Sequence, residues 1–91
     1  MTNASPTDAA LRQALIDTLG LDASHVATFD AATPLFGALP ELDSMAVATL
    51  LTDLEDRLGI LIDDDDIDAE TFETYANLSL FLDWKRAESG Q

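Results

Sequence analysis

The chain has 91 residues, enough for one domain with a modest core, and carries 18 Asp and Glu against 4 Lys and Arg, a formal net charge of −14. It has no cysteine, so disulfides, thiolate metal sites, iron–sulfur clusters and cysteine nucleophiles are excluded, and hydrophobic packing must hold the fold. Hydrophobic residues make up 47% of it, too many for a chain kept unfolded by self-repulsion; the acidic field disfavours nucleic acid and anionic lipid and favours basic protein partners.

The first element opens at Ser5-Pro6-Thr7-Asp8, where Ser5 can cap, Pro6 suits the first helical position and Asp8 sits in the favourable first turn. Leu11, Leu15 and Leu19, with Ile16 beside them, give one amphipathic helix that Gly20 is placed to end. From Leu21 to Leu42 the periodicity breaks, with Pro34, Gly37 and Pro40 as punctuation and Phe29, Leu35, Phe36 and Leu39 as anchors. A loop of about 20 residues is long for a compact domain and is expected to be functional, tied down by those anchors, or both.

A second main helix is expected from Asp43-Ser44 to Leu58, with Gly59 as its stop. At 100° per residue, Val47, Leu50, Leu51, Leu54 and Leu58 gather on a core side, and Met45, Ala48, Thr49, Thr52 and Asp56 gather on the opposite side, open to solvent or a partner. Ile60, Leu61 and Ile62 return apolar weight to the core; Asp63 to Asp66 form an acidic run, and a short helical turn is expected around Ile67 to Glu70. A last helix from about Thr74 carries Leu78, Phe81 and Leu82 at core spacing, with Trp84-Lys85-Arg86 near its end and a frayed tail from Ala87 to Gln91. No segment reads as a strand and no run is long enough to span a membrane, so the expected fold class is all-α: three main helices, one short helix and a long loop between helices one and two, in a single domain (1–91) with an ordered core of about 6–86.

Ser44 stands where free backbone N–H groups and the positive helix end favour a phosphate, although an isolated Asp-Ser pair reads first as a plain helix cap. Its surroundings are more specific. Thr33-Pro34-Leu35-Phe36-Gly37, Leu42-Asp43-Ser44-Met45, the leucine-striped helix ending at Gly59, and Ile60-Leu61-Ile62-Asp63-Asp64 together resemble the acyl carrier proteins. The first helix, Phe72 before the last helix, and the length and acidity of the chain fit as well, so the resemblance covers nearly all of it and implies a four-helix acyl-carrier-like bundle.

The resemblance further implies that Ser44 carries a covalent 4′-phosphopantetheine arm from coenzyme A, with Asp43 flanking the helix start. The arm would bring the thiol that the chain lacks and hold acyl groups as thioesters. The protein itself would then be a carrier and not an enzyme, with no catalytic or metal-binding residue. Its implied partners are a phosphopantetheinyl transferase and acyl-loading and acyl-processing enzymes with basic docking surfaces. The implied docking face comprises Glu41, Met45, Ala48, Thr49, Thr52, Glu55 and Asp56, and in some members the helices part to shelter the acyl chain. Ala46 and Thr49 stand where the bacterial fatty-acid type is commonly acidic, which argues for a dedicated lipid or secondary-metabolite pathway and partners that read Met45 and Ala48 by packing as well as Glu41, Asp43, Glu55 and Asp56 by charge. Cargo remains open among fatty acyl, polyketide and aminoacyl groups.

Other chemistries fit less well. An EF-hand loop starting at Asp64 would need glycine at Ala69 and glutamate at Tyr75. The lone His25 could complete a triad with Ser44 only without the glycines of a nucleophile elbow, and Phe81 and Trp84 read as packing and not as a ligand cage. A cytoplasmic monomer is expected, freestanding on the strength of Met1 and the lack of linker sequence. The alternative from another class is an unmodified, acidic helical module for a basic partner.

Overall fold

The computed structural model describes residues 6–88. The first helix, α1 (Pro6–Leu19), begins at the proline; the Ser5 cap lies outside the described residues. Gly20 follows with φ 71°, and its N–H donates to the Ile16 carbonyl at 3.0 Å, closing the last turn in a conformation that glycine adopts without a Cβ penalty. A short helix, α2 (Ala23–Val26), interrupts the long connection. It was not legible in the sequence because four residues with one apolar side chain have no periodicity; burial of Val26 and N–H bonds to the Asp22 carbonyl hold it.

Helix α3 (Ser44–Leu58) has the expected boundaries. Asp43 caps it, its Oδ1 accepting the Ala46 N–H at 2.9 Å. Gly59 ends it at φ 66°, and both Gly59 and Ile60 donate to the Glu55 carbonyl, at 2.9 and 3.1 Å. The acidic run then forms a 3-10 turn, Asp64–Asp66, and a second 3-10 turn follows at Ala69–Phe72, where Asp68 and Thr71 cap one another reciprocally. The single turn expected around Ile67 to Glu70 is thus two turns, one just before it at Asp64–Asp66 and one at Ala69–Phe72 that overlaps its second half. Helix α4 (Tyr75–Glu88) runs past the expected fray point, since Ala87 and Glu88 are helical; the rest of the expected tail, 89–91, lies outside the described residues.

Leu11, Ala14 and Leu15 of α1 meet Leu50, Leu54 and Leu58 of α3 in the most extensive helix pair, and Leu78 and Leu82 of α4 complete the core. Leu21, Val26, Phe29, Leu35, Leu39 and Leu42 plug it from the long connection. Two expected anchors do not. Phe36 is half exposed, and Leu61 is 82% exposed because Ile60 and Ile62 turn inward on either side of it. A backbone clip fastens the connection to the entry of α4. Leu35 and Phe36 donate to the carbonyls of Glu73 and Phe72 at 3.1 and 2.9 Å, and Tyr75 donates back to Thr33 at 2.8 Å. Pro34 and Thr74 form an isolated antiparallel bridge within this clip.

All four cations act inside the molecule. Arg12 binds Asp8 and the carbonyls of Val26 and Phe29, and lies 4.9 Å from the Tyr75 ring centre. Arg57 joins Asp17 of α1 to Asp53 of α3. Lys85 ties Asp66 to α4 at 2.8 Å, and Arg86 donates to the buried Thr7 hydroxyl at 3.0 Å.

Candidate functional site

Ser44 is the first residue of α3 and is solvent exposed. The cap determines what surrounds it: the Asp43 carboxylate takes the Ala46 N–H and the Asp43 carbonyl takes the Val47 N–H at 2.8 Å. The N–H groups of Ser44 and Met45 precede the first intrahelical donor, that of Val47, and point out of the helix start, where its dipole is positive. No hydrogen bond from another described residue holds the Ser44 hydroxyl, so it is available for bond formation.

Beside Ser44 opens a cleft of about 340 Å³ between α3 and the second 3-10 turn, walled by Phe36, Val47, Ile67, Ala69 and Phe72 with Asp68 at its rim. The sequence reading missed it as a feature. The sequence spacing places Phe36 among the anchors and Val47 in the core stripe; only the backbone bond from Phe36 to Phe72 sets the two phenylalanines on one cleft. Val47 is in fact partly buried, bridging core and cleft wall.

The opposite side of α3 is open as expected. Met45 is 81% exposed, and Ala48, Thr49, Thr52 and Asp56 are exposed along the same side, with Glu41 exposed just before the helix. Thr49 and Thr52 donate their hydroxyl hydrogens to the Met45 and Ala48 carbonyls, at 3.2 and 3.0 Å. The face therefore offers a thioether and methyl groups more than free donors. A shallow groove of about 580 Å³ runs along it, between Thr18 of α1 and Ala48, Thr49, Thr52, Asp53 and Asp56 of α3. Glu55 does not join this face. It is half-buried on the Ser44 flank, and its Oε2 accepts the Ile62 N–H at 2.7 Å, pinning the chain as it leaves α3.

Electrostatically the two sides of the molecule differ. Among the described residues no lysine or arginine lines either the Ser44 cleft or the α3 groove, so Asp68 at the one and Asp56 at the other act with no cation beside them, while Asp53 of the groove is paired with Arg57. In the acidic run, by contrast, Asp66 is engaged, and its hydrogen bond from Lys85 holds its carboxyl below the usual range. His25 rests edge-on against Phe29, 5.2 Å between ring centres, and lines neither opening. Phe81 and Trp84 pack on each other at 6.0 Å, though Trp84 remains half exposed.

Comparison with known proteins agrees with this geometry. A family model described as the phosphopantetheine attachment site matches residues 9–82. Among solved structures, the chain is similar to the solution NMR structure of a holo acyl carrier protein from Nitrosomonas europaea, at 44% identity over 86% of this chain and 93% of that one, with a TM-score of 0.78. A search of curated protein sequences gave no match. With a match across both the α1–α3 core and the helix start that presents Ser44, the chain belongs to the phosphopantetheine-bearing acyl carrier protein family and is a non-catalytic carrier.

Proposed function

We propose that Ser44 is the residue that carries 4′-phosphopantetheine, and that this protein delivers acyl groups to partner enzymes in a dedicated lipid or secondary-metabolite pathway. The observation that carries the assignment is an exposed, unengaged hydroxyl on the first residue of a 15-residue helix, beside an apolar cleft. The site fits the group: the free N–H groups of Ser44 and Met45 and the helix dipole favour a phosphodiester, and the cleft suits the apolar part of an arm or its cargo. When attached, the group supplies the thiol on which acyl groups are held as thioesters. Asp43 contributes by holding the helix start through the Ala46 N–H.

Docking is assigned to Met45, Ala48, Thr49, Thr52 and Asp56, with Glu41 at the entrance and Glu55 acting through the fold. The phosphopantetheinyl transferase and the acyl-processing enzymes would meet this face with basic rims around an apolar centre, attracted by charge and selected by packing. One carrier domain over 1–91, monomeric and cytoplasmic, is the form in which we expect it to work; no described helix is long and apolar enough to cross a membrane.

Incubation with coenzyme A and a broad-specificity phosphopantetheinyl transferase, read by intact mass, tests the assignment. One added phosphopantetheinyl group on the wild type and none on Ser44→Ala is expected. An equal gain on Ser44→Ala would move the attachment to another residue, and no gain on folded wild type would replace the assignment with the unmodified interaction module.

A further inference from the structure

Helix α4 turns Tyr75, Leu78, Leu82 and Lys85 inward, which leaves Ala76, Leu80, Trp84 and Ala87 along its outer side. Leu80 is 65% and Trp84 49% exposed, large apolar surfaces on a chain of net charge −14. The stripe runs over 12 residues, 11 steps of 1.5 Å or about 16 Å, three helical turns.

Its surroundings give it shape and charge. Leu80 forms a ridge between two depressions. One, about 270 Å³, is lined by Asp68, Glu70, Thr71 and Asn77; the other, about 340 Å³, includes Asp30, Ala31, Ala76 and Ser79, and also Arg12, whose charge is paired with Asp8 at 3.0 Å. Acidic side chains thus stand on both banks, with Asp83 exposed one step off the stripe. Of the cations nearest in sequence, Lys85 has its ammonium 5.2 Å from the Trp84 ring centre but shared between Asp66 and Glu88, so its charge is balanced there, and Arg86 is directed to Thr7. A second copy of this chain would bring 14 more negative charges to an acidic bank, and an anionic membrane would be repelled in the same way.

We propose that the outer face of α4 is a second docking surface, separate from the α3 face, for an amphipathic helix of a partner protein whose apolar seam straddles Leu80 and packs on Trp84 between flanking Lys or Arg side chains. A ridge between two troughs is the form that helix-on-helix packing requires, and basic flanks answer Asp30, Asp68, Glu70 and Asp83. Asp68 lines both this surface and the Ser44 cleft, so the two lie on either side of the Ala69–Phe72 turn. A partner held here leaves Met45 and Ala48 open to a second protein and keeps the carrier close to it between reactions.

Trp84 is the single tryptophan, so its fluorescence reports on the face directly. The full-length protein is titrated with a tryptophan-free Leu/Lys amphipathic peptide of about 18 residues, five helical turns. A saturable blue shift of Trp84 emission is expected, weakened at least about tenfold by Leu80→Glu and by Leu80→Gln but by less than about twofold by Met45→Glu. Thermal melts confirm that each variant is folded, and the glutamine variant serves if the glutamate variant is not. The proposal is overturned by absence of a saturable shift, by unchanged affinity in a folded Leu80 variant, by loss with Met45→Glu instead, or by equal binding of a Ser/Lys peptide without the apolar seam. Self-association that Leu80→Glu abolishes would also overturn it, making the occupant a second copy.

Discussion

Arg12 is the sharpest test of how this fold is held, because its guanidinium joins three segments at once. Its Nε donates to Asp8 at 3.0 Å, its two terminal nitrogens donate to the Val26 carbonyl at 2.6 Å and the Phe29 carbonyl at 3.0 Å, and its plane lies over Tyr75. Arg12→Met keeps much of the apolar stem and removes all of these. A charged hydrogen bond is worth about 1.5–3 kcal/mol when buried. The Arg12 side chain is 28% exposed, so water can enter and satisfy the two carbonyls in part. The expected loss is therefore about 2–4 kcal/mol, well below the simple sum of the bonds. For a domain of this size, that lowers the melting midpoint by about 8–30 °C. Urea unfolding followed by helical circular dichroism measures it, with the midpoint falling and the slope unchanged. A loss below about 1 kcal/mol would refute the reasoning and mean that the Val26 to Phe29 segment is held by its apolar plugs alone.

Two further outcomes separate the faces of α3 and locate the acid sensitivity. Leu54→Ala, at a fully buried position, is expected to cost about 2–5 kcal/mol, whereas Met45→Glu should leave the melt nearly unchanged and slow acyl transfer by partner enzymes; the reverse pattern would exchange the two faces. For Asp8, burial raises its pKa, but hydrogen bonds from Tyr75 and Arg12 and the Arg12 charge outweigh that and hold it below the ordinary 3.8. A lowered folded-state pKa contributes stability that is present above the unfolded value and is lost as pH falls through the folded one. Wild type should thus exceed Asp8→Asn in stability at neutral pH, with the gap closing only below about pH 3.8. A gap already closing near pH 6 in paired melts would contradict this.

Much of the molecule was legible before its structure. Helix α3 reads from end to end because each level agrees: an Asp cap, leucines at helical spacing, and a glycine that accepts positive φ. Ser44 and the open Met45 side follow from the same periodicity, since an exposed stripe is what remains once the buried one is assigned. The cleft beside Ser44 was not legible. Its walls come from Phe36, Val47 and the 67–72 segment, residues far apart in the chain that meet through the backbone clip between 33–36 and 72–75. Leu61 shows the same limit, because which of three consecutive apolar residues turns outward depends on the chain's path away from the Glu55 clasp.

The pattern of residues by itself determined α1, α3, α4 and the absence of an internal thiol, because periodicity, capping and composition are local or additive, while the carrier role was implied by the resemblance of the Leu42–Met45 motif and its surroundings to a known family. Where the charge of −14 acts was a tertiary decision. Folding engages the four cations within the molecule, on Asp8, Asp17, Asp53, Asp66, Glu88, Thr7 and the long connection, and among the described residues pairs none of them with Glu41, Asp43 and Asp68 near the start of α3 or with Asp56 further along it. Coulomb interactions depend on distance through space, and a sequence reports only the total.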